Sequence, residues 1–203
     1  MASPRPDAQR PDGPAAERTE ALLLGGRSGT GKTSVGYEVH AQLSAAGIRH
    51  CIVDGDNLDM AYPDPREHGL AERNLAAIWA NYRALGYRRV VYTNTASVLS
   101  EVTTALTAAM GDRPRVTAIL LTCTDATARQ RLAQRETGSE LTVHIERSDR
   151  MARRLEASAP DSVRRVATDG RSVTEIAAGV IALAGWAAAD QGADRPAGPV
   201  PRR

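Results

Sequence analysis

From Gly25 to Ser34 the chain reads Gly-Gly-Arg-Ser-Gly-Thr-Gly-Lys-Thr-Ser. The part from Gly26 to Thr33 fits G-x-x-x-x-G-K-[ST], the pattern of a loop that cradles phosphates. The closely spaced glycines Gly25, Gly26, Gly29 and Gly31 let the backbone curl until several N–H groups converge on one anion. Arg27, Ser28 and Thr30 fill the remaining loop positions. Ser34 lies just inside a helix whose positive end adds to the attraction. Lys32 is expected to reach the β- and γ-phosphates of ATP, and the Thr33 hydroxyl to ligate Mg2+. Lys32 is also the only lysine in a sequence that otherwise uses arginine, which marks a position where a compact ammonium is needed.

Asp54-Gly55-Asp56-Asn57 places two carboxylates two residues apart at the end of an apolar run. Beside a triphosphate and Mg2+, one can hold a metal-bound water and the other can take the proton of an attacking hydroxyl. Either Asp54 or Asp56 can be that base, with the balance toward Asp54 because it emerges first from the strand. Asp54, which leaves the strand first, is also the carboxylate expected to assist Thr33 at the metal. Arginines surround a polar stretch at 136–147, read as a lid: Arg129, Arg131 and Arg135 before it, Arg147, Arg150, Arg153 and Arg154 within or after it. Planar guanidiniums stabilise a phosphoryl group in transfer, and Arg131 and Arg135, one helical turn apart, are the best placed. Asn57, Tyr62, Arg73, Asn74, Asn94 and Thr95 are expected, from position, to line an acceptor pocket. His144 reads as an ordinary surface residue, and His40, His50 and His68 show no metal-ligand spacing.

These groups need a scaffold that brings strand ends together. Ala21–Leu24, Ile48–Val53, Arg89–Thr93, Arg115–Thr122 and Val163–Ala167 read as strands. Thr33–Ala46, Leu70–Leu85, Ser97–Met110, Asp125 to about Arg135, Arg147–Ala157 and Val173–Trp186 read as helices. Ser97 or Ser100 is expected to cap the third of these, and Asp125 the fourth. Trp79 and Tyr82 fall on the apolar face of the second helix and read as core. Alternating strands and helices imply an α/β, three-layer fold: a five-stranded parallel sheet flanked by helices, with the arginine-bearing lid. Ligands of such sheets bind at the carboxyl ends of the strands, where the polar residues above cluster.

The 203 residues suffice for one domain, expected over 19–190, with disordered tails at 1–18 and 191–203. Phenylalanine is absent and aromatics make up 3%, so the core must be aliphatic. A net charge of +2 with dispersed arginines argues against a nucleic-acid partner. No apolar run approaches the length of a membrane helix, and there is no signal-type segment at the N-terminus. Cys51 and Cys123 lie in strand-like runs and read as buried, reduced thiols, so a cytoplasmic protein is expected.

With these residues in view, the sequence resembles the small P-loop kinases that phosphorylate a hydroxyl of a small molecule. Asp54-Gly55-Asp56-Asn57 resembles the D-G-D-N of adenylylsulfate kinases and the D-G-D of gluconate kinases. A strand ending in Asp54, with Pro63 following, is similar to chloramphenicol phosphotransferases, in which that Asp is the proposed base. The run Val166–Val173 resembles the segment that such kinases place near the adenine, which implies nucleotide contacts for Asp169 and Arg171. The resemblance covers about Ala21 to Trp186 and implies an adenylate-kinase-like core. Two departures stand out. Asn94 takes the place where P-loop enzymes usually carry an acidic residue, and Leu58–Tyr62 lacks the substrate motif of adenylylsulfate kinases. The expected activity is transfer of the γ-phosphoryl group of MgATP to a small-molecule hydroxyl, with a sugar, a nucleotide and an antibiotic all open as acceptors. A P-loop ATPase or nucleotide switch without an acceptor is the alternative. The absence of N-K-x-D tilts the nucleotide toward ATP, and monomer and homodimer both remain open.

Overall fold

A computed structural model describes residues 18–135 and 140–187. The two expected tails, apart from Arg18, and residues 136–139 of the expected lid lie outside the described residues. The strands are β1 (Glu20–Gly25), β2 (Cys51–Asp54), β3 (Arg89–Thr93), β4 (Arg115–Thr122) and β5 (Arg164–Ala167). They form one sheet in the order β2-β3-β1-β4-β5, every pairing parallel. The helices are α1 (Lys32–Ala45), α2 (Leu70–Ala84), α3 (Ser100–Met110), α4 (Asp125–Ala133), α5 (Glu140–Ser158) and α6 (Val173–Ala184).

The aliphatic composition of β1 explains the three layers. Leu22 and Leu24 point to one face, where Val35, Val39 and Leu43 of α1 and Ile176, Val180 and Ile181 of α6 cover them. Ala21 and Leu23 point to the other, against Leu75 and Trp79 of α2 and Leu106 and Met110 of α3. A smaller cluster joins Leu120 of β4 to Leu155 of α5, with Val98, Leu99 and Val163. A fully buried leucine contributes roughly 1.5–3 kcal/mol, so a core without phenylalanine is still deep enough. Trp79 is core, as expected, and its Nε1 donates to Asp112 at 2.9 Å. Cys51 is buried and its thiol is pushed up to about 12 by burial, Cys123 is half-buried, and both are free thiols.

Three sequence expectations need correction. The stretch 140–146 is not a polar excursion, because α5 already begins at Glu140. Leu141, Ile145, Ser148, Ala152 and Leu155 recur at helical spacing and are the less exposed face of α5, which a reading focused on its charges overlooks. Thr124, not Asp125, caps α4, its hydroxyl accepting from the Thr127 amide. Neither Ser97 nor Ser100 caps α3: the cap position is Leu99, and buried Ser97 donates its hydroxyl to the Asn94 carbonyl at 3.1 Å.

The strand order puts β1 between β3 and β4. The chain leaves β1 toward one edge and later crosses over it to the other. The carboxyl end of β1 is therefore the topological switch point, where open parallel sheets bind ligands.

Candidate active site

The loop between β1 and α1 occupies that switch point. Gly31 sits at the N-cap of α1 with φ of 90°, a left-handed conformation that favours glycine. A Cβ built there meets nothing within 4 Å, so the space over the loop is open. The Gly26 amide donates to the Thr95 carbonyl at 3.1 Å, which fastens the loop to the end of β3. The Arg27 carbonyl accepts from the Thr30 hydroxyl at 2.9 Å and from Lys32 Nζ at 3.4 Å. Lys32 is only 8% exposed. Burial lowers its pKa; Asp56 and then Asp54 oppose that shift, and Arg135 adds to it. A buried ammonium with one long hydrogen bond is ready to donate to stronger acceptors. Thr33 and Ser34 are exposed in the first turn of α1.

The Asp-Gly-Asp segment sits beside this lysine. Asp54 ends β2 and its carboxylate accepts from the Asp56 amide at 3.2 Å, closing a short 3-10 turn over Gly55–Asn57. Gly55 packs so closely on Tyr92 that a Cβ there would lie 2.2 Å from the phenol oxygen. Asp56 Oδ1 accepts from Asn94 Nδ2 at 2.7 Å, and its carboxylate also takes the Thr95 amide. Asp56 remains open to solvent on one side, yet the walls around it raise its pKa by desolvation. Lys32 works against that rise and Asp54 adds to it. Asn94 in turn is fixed through its Oδ1 by the Ala96 amide at 3.0 Å. An asparagine at the end of β3 thus donates to Asp56, which an acidic residue in its ionised form could not do.

The arginines divide. Arg135 follows α4, is exposed, and is close enough to Lys32 to lower its pKa. Arg131 is half-buried beneath the loop: its Nη1 donates to the Gly29 carbonyl (3.1 Å), the Thr30 carbonyl (3.4 Å) and the Thr168 hydroxyl (3.1 Å). It therefore braces the phosphate loop against the end of β5. Arg27 sends its side chain to α4 and α5. Asp169 accepts from Thr124 Oγ1 at 2.9 Å and from Thr127 Oγ1 at 2.6 Å, tying the end of β5 to the start of α4. Its pKa is lowered, chiefly by the Thr127 hydroxyl. Arg171 is exposed and donates to the carbonyls of Ala167 (3.3 Å) and Glu175 (3.4 Å).

The acceptor-side residues are less concentrated. Asn57 is exposed on the 3-10 turn, and Arg73 is exposed on α2. Asn74 donates to the Leu58 carbonyl at 2.6 Å and anchors the turn to α2. Tyr62 is 100% exposed and lines no pocket in this form. Asn94 and Thr95 are at the site, engaged as described above. Sequence reasoning missed Ser148 and Asp149, which reach the loop through Arg27; no local motif marks them.

The donor set fits a triphosphate and a hard cation: the loop amides that remain unengaged, an ammonium, an exposed threonine hydroxyl and two carboxylates. Among the described residues, no group of three or more His, Cys, Asp or Glu forms a metal cluster, so a cation here would share its shell with phosphates and water.

The comparisons with known proteins point to the same region. The family model for adenylylsulphate kinase matches residues 18–78, which take in β1, the phosphate loop, α1, β2 and the Asp-Gly-Asp turn. Among solved structures, an APS kinase from Mycobacterium tuberculosis, in complex with AMPPNP and APS, is 22% identical with a TM-score of 0.52, covering 82% of this chain and 97% of that one. The chain has the fold of the small-molecule P-loop kinases. A tunicamycin resistance protein from Deinococcus radiodurans shares it at 16% identity and a TM-score of 0.59, covering 83% of this chain and 96% of that one. A gluconokinase from Sinorhizobium meliloti does so at 17% identity and a TM-score of 0.54, covering 82% and 91%. No curated protein matches the chain. No helix among the described residues is long and apolar enough to cross a membrane.

Proposed function

We propose that the protein is a kinase that transfers the γ-phosphoryl group of MgATP to a hydroxyl of a small molecule. The observation that carries this reading is that a buried Lys32, held by a long 3.4 Å hydrogen bond to the Arg27 carbonyl, lies close enough to Asp56 for the two charges to interact. A nucleotide-binding module needs the loop and the lysine. A second carboxylate, partly desolvated and held in place by Asn94 and the Thr95 amide, suits removal of a proton from an attacking hydroxyl.

In this reading the amides of residues 26–34 and Lys32 bind the phosphates. Thr33 and Asp54 are the residues that would hold Mg2+, which when bound would neutralise phosphate charge. Asp56 is the better candidate for the base, because desolvation raises its pKa and Asp54 is assigned to the cation. Arg135 stabilises the transferring group, and Arg131 keeps the loop in shape for it. Asp169 and Arg171 shape the nucleotide end of the site, while Asn57 and Arg73 border the acceptor side. The family match and the fold relatives support a small-molecule kinase, and the acceptor is to be found by assay.

The test is ADP release from ATP and Mg2+ in the presence of pooled hydroxylated compounds: sugars, nucleosides, sulfated nucleotides and antibiotics. Release that depends on one pool and disappears in Asp56→Asn is expected. Acceptor-independent hydrolysis that survives this substitution would instead favour a P-loop ATPase.

A further inference from the structure

Arg27 stands second in the phosphate loop, yet only 4% of it is exposed and its guanidinium is engaged by two helices. Nε donates to Ser148 Oγ at 2.9 Å. The two terminal nitrogens are ion-paired with Asp125, the first residue of α4, and with Asp149 of α5. Asp149 also receives Arg129 of α4 at 2.8 Å, so two cations and two carboxylates alternate in one network. Ser148, itself buried, donates its hydroxyl to the Ser28 carbonyl at 2.9 Å. The backbone of Arg27 meanwhile faces the site, where its carbonyl accepts from Lys32 Nζ at 3.4 Å. One residue thus meets Lys32 through its main chain, by a long hydrogen bond, and holds α4 and α5 through its side chain. With its charge neutralised by Asp125 and Asp149, Arg27 leaves the attraction of phosphate to Lys32 and the amides.

We infer that Arg27 is a positioning residue that couples occupancy of the phosphate loop to the docking of α5. The inference rests on the reading of that loop as a nucleotide site. Phosphates draw Lys32 away from the Arg27 carbonyl and order the loop amides around themselves. The loop carbonyl of Ser28 and the guanidinium of Arg27 are then held at fixed positions, and Ser148 and Asp149 seat α5 on them. A path of direct hydrogen bonds and ion pairs connects the two sites, and any coupling along it acts equally in both directions.

Amide hydrogen exchange on the full-length chain, with and without Mg2+ and AMPPNP, tests this. In the wild type the analogue is expected to slow exchange over residues 26–34 and over α5, each by about fivefold or more. Arg27→Met keeps the protection of the loop and loses that of α5, and its affinity for AMPPNP falls by the same factor as that loss. Ser148→Ala weakens α5 protection, whereas Arg83→Met, which breaks an ion pair to Asp112, leaves both regions protected. Unchanged α5 protection in Arg27→Met, or loop protection without α5 protection in the wild type, overturns the coupling and leaves the nucleotide reading standing. Protection of neither region overturns both. If Arg27→Met does not fold, Ser148→Ala decides, and full α5 protection in that variant overturns the inference.

Discussion

Replacing Asn94 with Asp asks directly how Asp56 is held. In the native structure Asn94 Nδ2 donates to Asp56 Oδ1 at 2.7 Å. Asn94→Asp removes that donor and sets a second carboxylate against the first. Even if the pair relaxes to about 4 Å, two unit charges at an effective dielectric constant of about 20 repel by about 4 kcal/mol. Solvent on the open side of Asp56 screens roughly half of this, and the lost charge-assisted hydrogen bond adds about 1.5 kcal/mol. The variant is therefore expected to be less stable by about 3.5 kcal/mol at about pH 8, or by about 7–14 °C in Tm for a domain of this size. Near pH 5 the pair can share a proton and the difference should shrink to a fraction of that value. The sign follows from linkage. The folded-state pKa of the pair lies above that of unfolded carboxylates, so the folded state binds more protons in between, and stability falls as pH rises through that window. Thermal and urea melts of both proteins at the two pH values measure it. An offset that is absent, or equal at both pH values, would refute the claim that Asn94 fixes Asp56 in its charged form.

Three further outcomes follow from the same geometry. Lys32→Met should weaken AMPPNP binding about 100-fold, from lost charged hydrogen bonds worth about 1.5–3 kcal/mol each. The same variant should melt no lower than the wild type without nucleotide, because burial lowers the Lys32 pKa and so charging this group opposes folding at neutral pH; titration calorimetry and melts check both halves. Gly55→Ala should cost about 1–3 kcal/mol in urea unfolding, since the new Cβ would collide with Tyr92 in the core. Once an acceptor is known, Asp56→Asn should lower kcat by about 10²–10⁴ with little change in the KM for ATP. In the wild type, activity should fall as pH drops through an apparent pKa above that of an ordinary aspartate, because the base must be ionised; a flat profile down to about pH 4 would count against Asp56 as the base.

What the sequence made legible is what local chemistry determines. The glycine spacing around Lys32 announces the phosphate loop, and the aliphatic runs of β3 and β4 match their observed bounds because each is a buried strand closed by a polar residue. The parallel sheet follows from strands alternating with helices. What the sequence could not show depends on partners far along the chain. Nothing near Arg27 says that its side chain turns to Asp149, more than a hundred residues on. Asn94 is visible as a departure from the usual acidic residue, but its role as donor to Asp56 needs the β2–β3 pairing. His40 and His50 show no metal spacing, yet they meet at 2.8 Å, His50 being oriented by the Ile48 carbonyl at 2.7 Å. The start of α5 was hidden because its apolar side is carried by few residues among many charges. Tyr62, a natural choice for a pocket wall, stands wholly in solvent.

The central claim is that the loop and the Asp-Gly-Asp turn act together in phosphoryl transfer to a small-molecule hydroxyl. The most direct measurement is ADP release by the purified full-length protein with ATP and Mg2+, alone and against the pooled hydroxylated compounds, with Asp54→Asn and Asp56→Asn run in parallel. The account predicts release that requires one pool, is abolished by Asp56→Asn, and comes with one phosphate added to the acceptor by mass spectrometry. Steady release without any pool, indifferent to both substitutions, would contradict it.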